Sequence, residues 1–428
     1  MELAYTLFLI ILYLLIAPLA LVFVWAVYYD LSTSEIPPGI DQPLKLRILH
    51  WLLIISASLG KILESLCFCS QIHFIRFIQE GKKLGEDPKL WIQDLMFEDI
   101  PVRVYQPREP KSERRKGVVY FHGGGWMFGS INTDKTKIDL DSDFPMCLFS
   151  DSYDHVCRYI AKESDSVVVS VGYNLAPEQK YPSQFYECLA ATAHFLKRAD
   201  DYGVDPARII VGGDSVGGNF TASVCQALVS RTDLAKPLAQ ILIYPGLQAI
   251  DFNLPSYQQN RAVPILYREH VICSALRYLN KDLSVLDSVV RGCHVPTDIK
   301  MRFGKCINSE NIPQEFKARG FEPSQAASFV DDVYEVVKQA LEATFSPLMA
   351  EDAVLSQLPK ACIVTCEYDV LRDDGILYKK RLEDNGVPVT WYHIEDGFHG
   401  VINFFNGLLS FPSGKKGVDS IVTFIRSS

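Results

Sequence analysis

Short β-branched and apolar runs alternate with helical patterns over most of this chain, and this alternation constrains its fold more than any other feature. Buried strands that alternate with helices predict a mostly parallel sheet covered by helices on both faces. The predicted strands lie at 102–107, 116–122, 166–173, 207–215, 239–246, 361–369 and 387–394, and helical spacing predicts helices at 185–197 and 219–231. The sequence therefore predicts the α/β fold class.

Length and composition allow one large α/β unit with additional segments. The chain has 428 residues, of which 48% are hydrophobic and 22% charged, so a sizeable buried core is available. A net charge of -9 and the lack of a basic stripe argue against nucleic acid as a partner. We expect an anchor at 1–30, an amphipathic or cap region at 31–95, the first part of the core at 96–250, a cap insertion at 251–345 and the second part of the core at 346–428.

An uncharged apolar stretch at residues 3–29 predicts a membrane anchor. It is longer than the ~20 residues that cross a bilayer as a helix, and it lacks the basic start and the cleavage site of a signal peptide. Trp25, Tyr28 and Tyr29 stand at its end, where an aromatic belt would meet the bilayer surface. We therefore expect an uncleaved single-pass helix rather than a buried core helix. The few flanking charges do not set its orientation.

Residues 46–78 mix leucine, isoleucine and phenylalanine with occasional charges, which predicts one or two amphipathic helices. The apolar run 51–60 is too short to span a membrane. Such helices could cover a pocket, lie on the bilayer surface, or do both. Residues 251–345 interrupt the alternation with polar helical segments, so we expect a cap or lid outside the sheet.

The segment Gly213–Gly217 has the sequence G-D-S-V-G and stands between a predicted strand and a predicted helix. This is the pattern of a strand–turn–helix elbow that exposes a nucleophilic serine, and its glycines remove Cβ atoms that would clash in the turn. The helix N-terminus also places partial positive charge near the reacting oxygen. We predict that Ser215 is the nucleophile. The plainer alternative is a helix cap in a glycine loop.

A serine hydroxyl needs a base to accept its proton and an acid to orient that base. The expected chain order in this topology is serine, acid, histidine. His399 lies in a glycine-flanked loop after the last strand, and Asp369 ends the strand 361–369 at the edge of the sheet where ligands bind. We predict His399 as the general base and Asp369 as the acid.

Other acidic residues and histidines near Asp369 and His399 are better explained as structural residues, or are weaker candidates for the acid. Asp373 and Asp374 precede a helical segment, as acidic residues of a first helical turn do. His393 alternates within a strand, which indicates a structural residue. Asp396, three residues before His399, is the alternative acid.

Three consecutive glycines follow the strand that ends at His122, in the motif HGGGW. Attack on an ester carbonyl builds an oxyanion, and each backbone N–H aimed at that oxyanion contributes roughly 100- to 1000-fold in rate. Only residues without side chains let the backbone approach so closely. We predict Gly123, Gly124 and Val216, the residue after the nucleophile, as the oxyanion donors. This chemistry requires no metal and no cofactor, and the 11 cysteines have no zinc-type spacing.

The motifs HGGGW at 122–126 and GDSVGG at 213–218 resemble the hormone-sensitive-lipase branch of the α/β-hydrolases, as do the blocks YNLAPEQKYP and EYDVLRDDG and the segment GVPVTWYHIEDGFHG. With its apolar N-terminus, the chain is most similar to the arylacetamide-deacetylase-like members over essentially its full length. The resemblance implies an α/β-hydrolase fold in which Ser215, Asp369 and His399 are nucleophile, acid and base. It also implies lipophilic ester or amide substrates and a single-pass anchor that places the hydrolase in the lumen of the endoplasmic reticulum.

The sequence departs from the family pattern at several positions. Asn174 and Gln179 replace an arginine and a histidine, and Val216 stands where relatives often have alanine. Met127 replaces a cysteine that some relatives carry, which would leave Cys366 unpaired. The connection 132–154 is longer than in the family and rich in aspartate. Because it lacks the glycine and glutamate of an EF-hand, we expect a solvated loop.

These residues predict a serine hydrolase that works through an acyl-enzyme. The alternatives are a catalytically weak or non-catalytic ligand-binding protein of the same fold, and a membrane protein with an interaction role alone. Retention of Ser215, Asp369 and His399 favours the enzyme, whereas the long connection 132–154 is the best argument for the binding protein.

Overall fold

One sheet of eight strands organises the residues that the computed structural model describes, which are 2–79, 85–131, 152–323 and 327–428. The strand order is β1-β2-β4-β3-β5-β6-β7-β8. The strands are β1 (Leu90–Phe97), β2 (Ile100–Pro107), β3 (Arg115–Phe121), β4 (Val167–Val171), β5 (Val204–Asp214), β6 (Ala239–Ile243), β7 (Lys360–Tyr368) and β8 (Val389–Phe398). β2 is antiparallel to β1 and β4, and all other neighbours are parallel, which confirms the prediction of a mostly parallel sheet.

Strand β1 is the one that the sequence analysis did not identify. It lies at the edge of the sheet and pairs only with β2, so most of its side chains are partly or fully exposed. Its sequence, LWIQDLMF, contains a single β-branched residue and lacks the continuous apolar pattern of the central strands. β1 also crosses the predicted segment boundary between residues 95 and 96.

Helices surround this sheet on both faces and at its carboxyl edge. The helices are α1 (Glu2–Thr33), α2 (Pro43–Ser65), α3 (Gln71–Gln79), α4 (Ser152–Ser164), α5 (Ser183–Arg198), α6 (Val216–Leu228), α7 (Pro255–Gln259), α8 (Arg268–Tyr278), α9 (Leu286–Val290), α10 (Thr297–Phe303), α11 (Asp331–Val337), α12 (Asp352–Leu355), α13 (Arg372–Asp384) and α14 (Pro412–Ser427). The described residues of the segment between β6 and β7, which contains α7 to α12, contribute no strand to the sheet.

Two hydrophobic cores cover the two faces of the sheet. Successive strand side chains point to opposite faces, and β3 illustrates this alternation. Val119 and Phe121 belong to the core that includes residues of α5 and α6, whereas Val118 and Tyr120 belong to the core that includes residues of α4 and α14. The central strands are therefore apolar on both sides, which is the pattern that the sequence presents.

The first two helices pack against each other in opposite directions. The ring of Phe23 in α1 meets the ring of Trp51 in α2 edge to face, with centroids 6.3 Å apart. Further along α1, the buried carboxylate of Asp30 accepts hydrogen bonds from Arg47 at 2.8 Å and from Trp51 at 2.8 Å, and it lies 2.6 Å from the Nδ1 atom of His50. A later residue of α1 thus pairs with an earlier residue of α2, so the two helices are antiparallel.

Helix α2 contains the apolar run at 51–60 and extends well beyond it. Among the described residues, it is the helix long and apolar enough to cross a membrane, with a mean hydropathy of 1.6 and 28% of its most apolar stretch buried. Ala17–Thr33, within α1, is a shorter apolar stretch. The one or two helices expected at 46–78 are two, α2 and α3.

The cysteines and one glycosylation sequon occupy defined positions in the structure. The ten cysteines in the described part of the chain are unpaired, and Cys225, Cys362 and Cys366 are buried. The sequon Asn219-Phe220-Thr221 lies in α6, where the Asn219 Nδ2 atom donates to two backbone carbonyls at 2.7 and 2.8 Å and is closed to a glycan. Residues 132–151 of the predicted acidic connection lie outside the described residues. Asp154 belongs to α4 and accepts a hydrogen bond from Arg158.

Candidate active site

The turn between β5 and α6 carries the predicted nucleophile. β5 ends immediately before Ser215 and α6 begins immediately after it, so the serine occupies the turn with φ 56° and ψ −118°. A positive φ at a non-glycine residue is strained, and such strain concentrates at functional sites. A Cβ atom on Gly213 or Gly217 would overlap the backbone carbonyl of Phe121. Glycine is therefore required on both sides of this elbow.

Ser215, His399 and Asp369 form a row of hydrogen-bonding contacts. Ser215 Oγ lies 2.9 Å from His399 Nε2, and His399 Nδ1 lies 2.8 Å from Asp369 Oδ2. The aspartate directly follows β7 and the histidine directly follows β8, because parallel strands bring their carboxyl ends to one edge of the sheet. With its Nδ1 proton held by the carboxylate, the imidazole can accept the serine proton on Nε2.

Burial and backbone contacts fix this row in place. Asp369 is 1% exposed, and its second oxygen accepts the N–H of Leu371 at 2.8 Å. The ring of His399 packs against Tyr244, with centroids 4.8 Å apart. Each side chain has a defined orientation before any substrate binds, which is what proton transfer between them requires.

The other candidates from the sequence lie outside this row. Asp396 belongs to β8, and its buried Oδ1 atom has no hydrogen-bond partner among the residues described. Asp373 and Asp374 lie in the first turn of α13, as predicted. His393 lies within β8 and contacts the Thr365 hydroxyl at 3.0 Å, which agrees with its structural interpretation.

The glycine loop after β3 differs from the prediction at Gly123. Its N–H donates to Asp214 Oδ1 at 2.9 Å instead of standing free for an oxyanion, because this buried carboxylate lies beside the loop. Gly124 (φ 111°) and Gly125 (φ 61°) have backbone conformations that favour glycine, and a Cβ atom on Gly124 would overlap the carbonyl of Phe128. Within the described ranges, the N–H groups of Gly124 and Gly125 have no hydrogen-bond acceptor.

Val216 provides a further free donor next to the nucleophile. It is the first residue of α6, and the first N–H groups of a helix have no partner within the helix. No acceptor for its N–H occurs elsewhere in the described part of the chain. Val216, Gly124 and Gly125 all line the cavity that contains Ser215.

Asp214 is a site residue that the motif analysis treated only as a spacer. It is 1% exposed and accepts a hydrogen bond from Tyr120 at 2.9 Å, with the hydroxyls of Tyr244 and Tyr153 at 3.3 and 3.4 Å. Burial raises the pKa of this carboxyl to about 6, although the surrounding donors oppose that rise. The sequence shows that Asp214 directly precedes the predicted nucleophile, but it does not indicate which groups the carboxylate binds.

His122 shapes the loop from the opposite side. Its Nδ1 atom lies 2.8 Å from the carbonyl oxygen of Gly123, and its ring stacks on Tyr173 with centroids 4.3 Å apart. The Tyr173 hydroxyl donates to the His122 carbonyl at 2.8 Å. Burial lowers the pKa of His122 to about 4, so the ring is neutral at pH 7 and donates its Nδ1 proton to the loop.

A cavity of about 1280 Å³ contains the serine and the histidine of the row. The glycine loop forms part of its wall, and the helices α2, α3 and α8 contribute apolar side chains to another part. α2 contributes Leu53 and Ile54, α3 contributes Ile72 and Ile75, and α8 contributes Val271. The helices expected at 46–78 therefore cover the pocket, which was one of the two roles considered for them.

Arg76 links α3 to the loops around the site. Its Nε atom donates to the carbonyl of Met127 at 2.8 Å, and Nη2 donates to the carbonyl of Ala176 at 2.6 Å. Nη1 forms an ion pair with Glu178 at 2.8 Å. The sequence analysis missed this residue, because a single arginine in an apolar helix carries no signal of contacts 51 and 100 residues away.

No cluster of three or more histidine, cysteine, aspartate or glutamate side chains that could hold a metal occurs among the described residues. The hydrogen-bonded row and the free backbone donors have the arrangement that acyl transfer to a serine requires.

Comparisons with known proteins agree with this geometry. A family model described as alpha/beta hydrolase fold matches residues 146–299 and 304–403. The chain is 44% identical over 406 residues to arylacetamide deacetylase-like 4 of Homo sapiens, covering 95% of each chain. It is 36% identical over 417 residues to neutral cholesterol ester hydrolase 1 of Rattus norvegicus, covering 95% of this chain and 96% of that protein.

A solved structure of a more distant relative has the same architecture. It is EstE1, a thermostable carboxylesterase cloned from a metagenomic library, which is 26% identical with a TM-score of 0.57. The match covers 87% of this chain and 97% of that one.

The sheet, the elbow and the family match define an α/β-hydrolase. The chain belongs to the arylacetamide deacetylase-like family, and it is accordingly an ester hydrolase.

Proposed function

We propose that this protein is a membrane-anchored serine hydrolase that cleaves carboxylic esters of lipophilic compounds through an acyl-enzyme on Ser215. The observation that carries this proposal is the row of contacts from Ser215 Oγ to His399 at 2.9 Å and from His399 to Asp369 at 2.8 Å. A serine hydroxyl becomes nucleophilic when a positioned base accepts its proton, and this row supplies both the base and its orienting acid.

The proposed reaction has two halves. Ser215 Oγ attacks the ester carbonyl while its proton passes to His399 Nε2, and a tetrahedral intermediate forms. The bond to the alcohol then breaks, and the alcohol leaves with the proton from His399. Water attacks the acyl-enzyme in the same manner, giving a proton to His399 that returns to Ser215 as the carboxylic acid departs. Asp369 stabilises the imidazolium in both halves.

We propose that the N–H groups of Gly124 and Val216, with that of Gly125, stabilise the oxyanion. All three are free donors that line the cavity around Ser215. Gly123 takes a different role from the one expected, because its N–H holds the loop on Asp214.

We propose lipophilic esters, and amides of similar shape, as substrates. Apolar side chains of α2, α3 and α8 line a cavity of about 1280 Å³, which is large enough for a bulky apolar group. The names of the relatives include a deacetylase-like protein and a cholesterol ester hydrolase, so acetylated compounds and sterol esters are the first substrates to test.

We also propose that α1 anchors the protein by a single pass, with the hydrolase in the lumen of the endoplasmic reticulum. The helix is continuous over Glu2–Thr33, and exposed apolar side chains such as Leu21 and Val24 suit lipid contact. The luminal side rests on the family resemblance.

The orientation can be tested with engineered glycosylation sites. Leu408→Thr completes a sequon at Asn406, and Asp282→Thr completes one at Asn280; Asn406 and Asn280 are exposed. A glycan removable by endoglycosidase is the expected result, because only the luminal side carries the transferase. Folded variants that both remain unmodified in cells would contradict a luminal hydrolase.

The nucleophile can be tested with a fluorophosphonate probe on the full chain in detergent. We expect labelling of the wild type and none of Ser215→Ala. Ser274→Ala is the matched control, because Ser274 lines the same cavity and should leave labelling unchanged. Equal labelling of Ser215→Ala and wild type, or no labelling of well-folded wild type, would overturn the proposal.

A further inference from the structure

The turn that joins α2 to α3 exposes large apolar side chains to solvent. Phe68 is 76% exposed, Leu66 is 61% exposed, and Ile62 at the end of α2 is 45% exposed. Contiguous exposed groups of this kind mark sites of contact with a partner or a membrane. We call residues 62–69 the α2–α3 tip.

The direction of α2 decides where this tip points. α2 runs antiparallel to α1, since Phe23 pairs with Trp51 and Asp30 pairs with Arg47. From Trp51, the helix continues for about 22 Å to Leu66 at 1.5 Å per residue. The tip therefore extends along α1, the proposed anchor, in the direction of its N-terminus.

Charged residues set the depth at which the tip can lie. Lys61 and Glu64 are exposed on the same turns of α2 as Ile62. Placing such charges in the hydrocarbon core is costly, whereas the headgroup region accommodates them beside apolar groups. Leu49 and Ile54 of α2 are buried within the protein, so this part of α2 packs on protein and is not surrounded by lipid, although the length and hydropathy of the helix would allow a span.

The same two helices also enclose the cavity. Ile54 and Ala57 of α2 and Ile72 of α3 line it, and Ile72 follows the tip within a few residues. A tip held in the bilayer surface would thus place one wall of the cavity beside lipid. An apolar ester could then move from the bilayer to Ser215 with little exposure to water, which lowers the cost of its transfer.

We propose that the α2–α3 tip inserts into the headgroup region of a phospholipid bilayer next to α1 and opens the cavity toward the membrane. This proposal rests on the proposed anchor and ester hydrolysis, and it adds a second membrane contact and a route for the substrate. The occupant of the apolar surface is lipid, because the tip lies alongside the anchor and combines apolar side chains with flanking charges.

The depth of the tip can be measured without any reference to activity. Cys67 and Cys69 are exposed at the tip and provide native positions for a nitrobenzoxadiazole label. In full-length protein in phosphatidylcholine nanodiscs, we expect blue-shifted emission and quenching by nitroxide lipids labelled in the headgroup. Met301→Cys in a Cys67→Ser, Cys69→Ser background is the control, since Met301 is 70% exposed on α10 in the segment between β6 and β7. Emission from the tip as water-like as that of the control would overturn the proposal.

A second copy of the chain could also cover the tip, and the same samples distinguish that outcome. Two results together would identify a dimer and reject insertion of the tip into the bilayer. Unlabelled Cys67 would form a disulfide between copies, and the label on the tip would have blue-shifted emission that headgroup nitroxides do not quench. Quenching by lipid without cross-linking supports the proposal.

Activity provides a second test. Leu66→Ser combined with Phe68→Ser should lower hydrolysis of a long-chain ester embedded in vesicles at least fivefold and leave a soluble short-chain ester within twofold. Met301→Ser should change neither rate. An inactive wild type on both esters would reject the proposed function itself, whereas equal losses on both esters, or no loss on either, would reject only the membrane contact.

Discussion

The carboxylate of Asp214 accepts the backbone N–H of Gly123 at 2.9 Å, so the nucleophile elbow and the glycine loop are joined by a direct hydrogen bond. The position of Gly124 and Gly125 relative to Ser215 therefore depends on a buried acid that lines the same cavity as the serine. Tyr120 donates to the same oxygen at 2.9 Å and holds the acid in turn.

Replacing Asp214 by asparagine should change how stability depends on pH. Burial raises the pKa of the folded carboxyl to about 6, from an ordinary value of 3.8, so between these values the unfolded state loses a proton that the folded state keeps. The free energy of unfolding of the wild type should thus fall as pH rises from about 4 to about 6, by roughly 3 kcal/mol at about 1.4 kcal/mol per pKa unit. Because asparagine does not titrate, the free energy of unfolding of Asp214→Asn should not include this fall.

Denaturant unfolding of both proteins in one detergent, at several values between pH 4 and pH 8, measures this difference. Between about pH 4 and about pH 6, the free energy of unfolding of Asp214→Asn should rise relative to that of the wild type. Above about pH 6, the difference between the two proteins should stay constant. Asp384→Asn, at a solvent-exposed carboxylate, is the control and should run parallel to the wild type. Parallel curves for Asp214→Asn would contradict the prediction.

Removing the charge of Asp369 should lower kcat far more than removing that of Asp396. The contact of 2.8 Å with His399 Nδ1 fixes the tautomer of the imidazole, and an asparagine there favours the wrong one. We expect a loss of roughly 10⁴-fold in kcat on a soluble ester for Asp369→Asn, with a small change in KM. The kcat of Asp396→Asn should remain within a few-fold of that of the wild type. Comparable losses of kcat in the two variants would make Asp396 a candidate for the catalytic acid again.

Sequence alone was sufficient for seven of the eight strands and for the three residues that the structure brings into one row. Both follow from local patterns, since an apolar strand that ends in Asp369 must deliver that side chain to the carboxyl edge of a parallel sheet. The direction in which a backbone N–H group points, by contrast, does not follow from a local pattern. The glycine motif shows where the backbone approaches closely, but Gly123 points at Asp214 because of burial that no motif encodes. Arg76 and β1 were missed for a related reason, because long-range contacts and exposed edges leave no periodic pattern.

Alanine at position 124 should impair catalysis more than alanine at an equally unusual but distant glycine. Gly124 has φ 111°, and a Cβ atom there would overlap the carbonyl of Phe128, which forces the loop to move. We expect roughly a 100- to 1000-fold loss in kcat on a soluble ester, the range for one oxyanion donor. Gly203→Ala is the control, because Gly203 has φ 64° with open space around it. If the two variants lose activity equally, backbone strain rather than donor placement would explain the effect.

Arg76 should act as a positioning residue for the glycine loop. Its guanidinium donates to the carbonyls of Met127 and Ala176 and pairs with Glu178, and the planar fork of arginine suits several acceptors at once. Arg76→Met keeps the apolar stem and removes all three contacts, so the loop should lose its support from α3. We expect kcat on a soluble ester to fall about tenfold with KM less affected, since small displacements of catalytic groups are costly.

Arg76→Lys should recover only part of this loss, because an ammonium group cannot reproduce the fork. The exposed pair of Arg114 with Asp200 supplies the control, and Arg114→Met should leave kcat unchanged. Unfolding in denaturant separates positioning from stability, since a purely structural role would lower the midpoint and spare kcat in the folded fraction. An Arg76→Met variant that is destabilised but fully active would remove the link between α3 and the oxyanion donors.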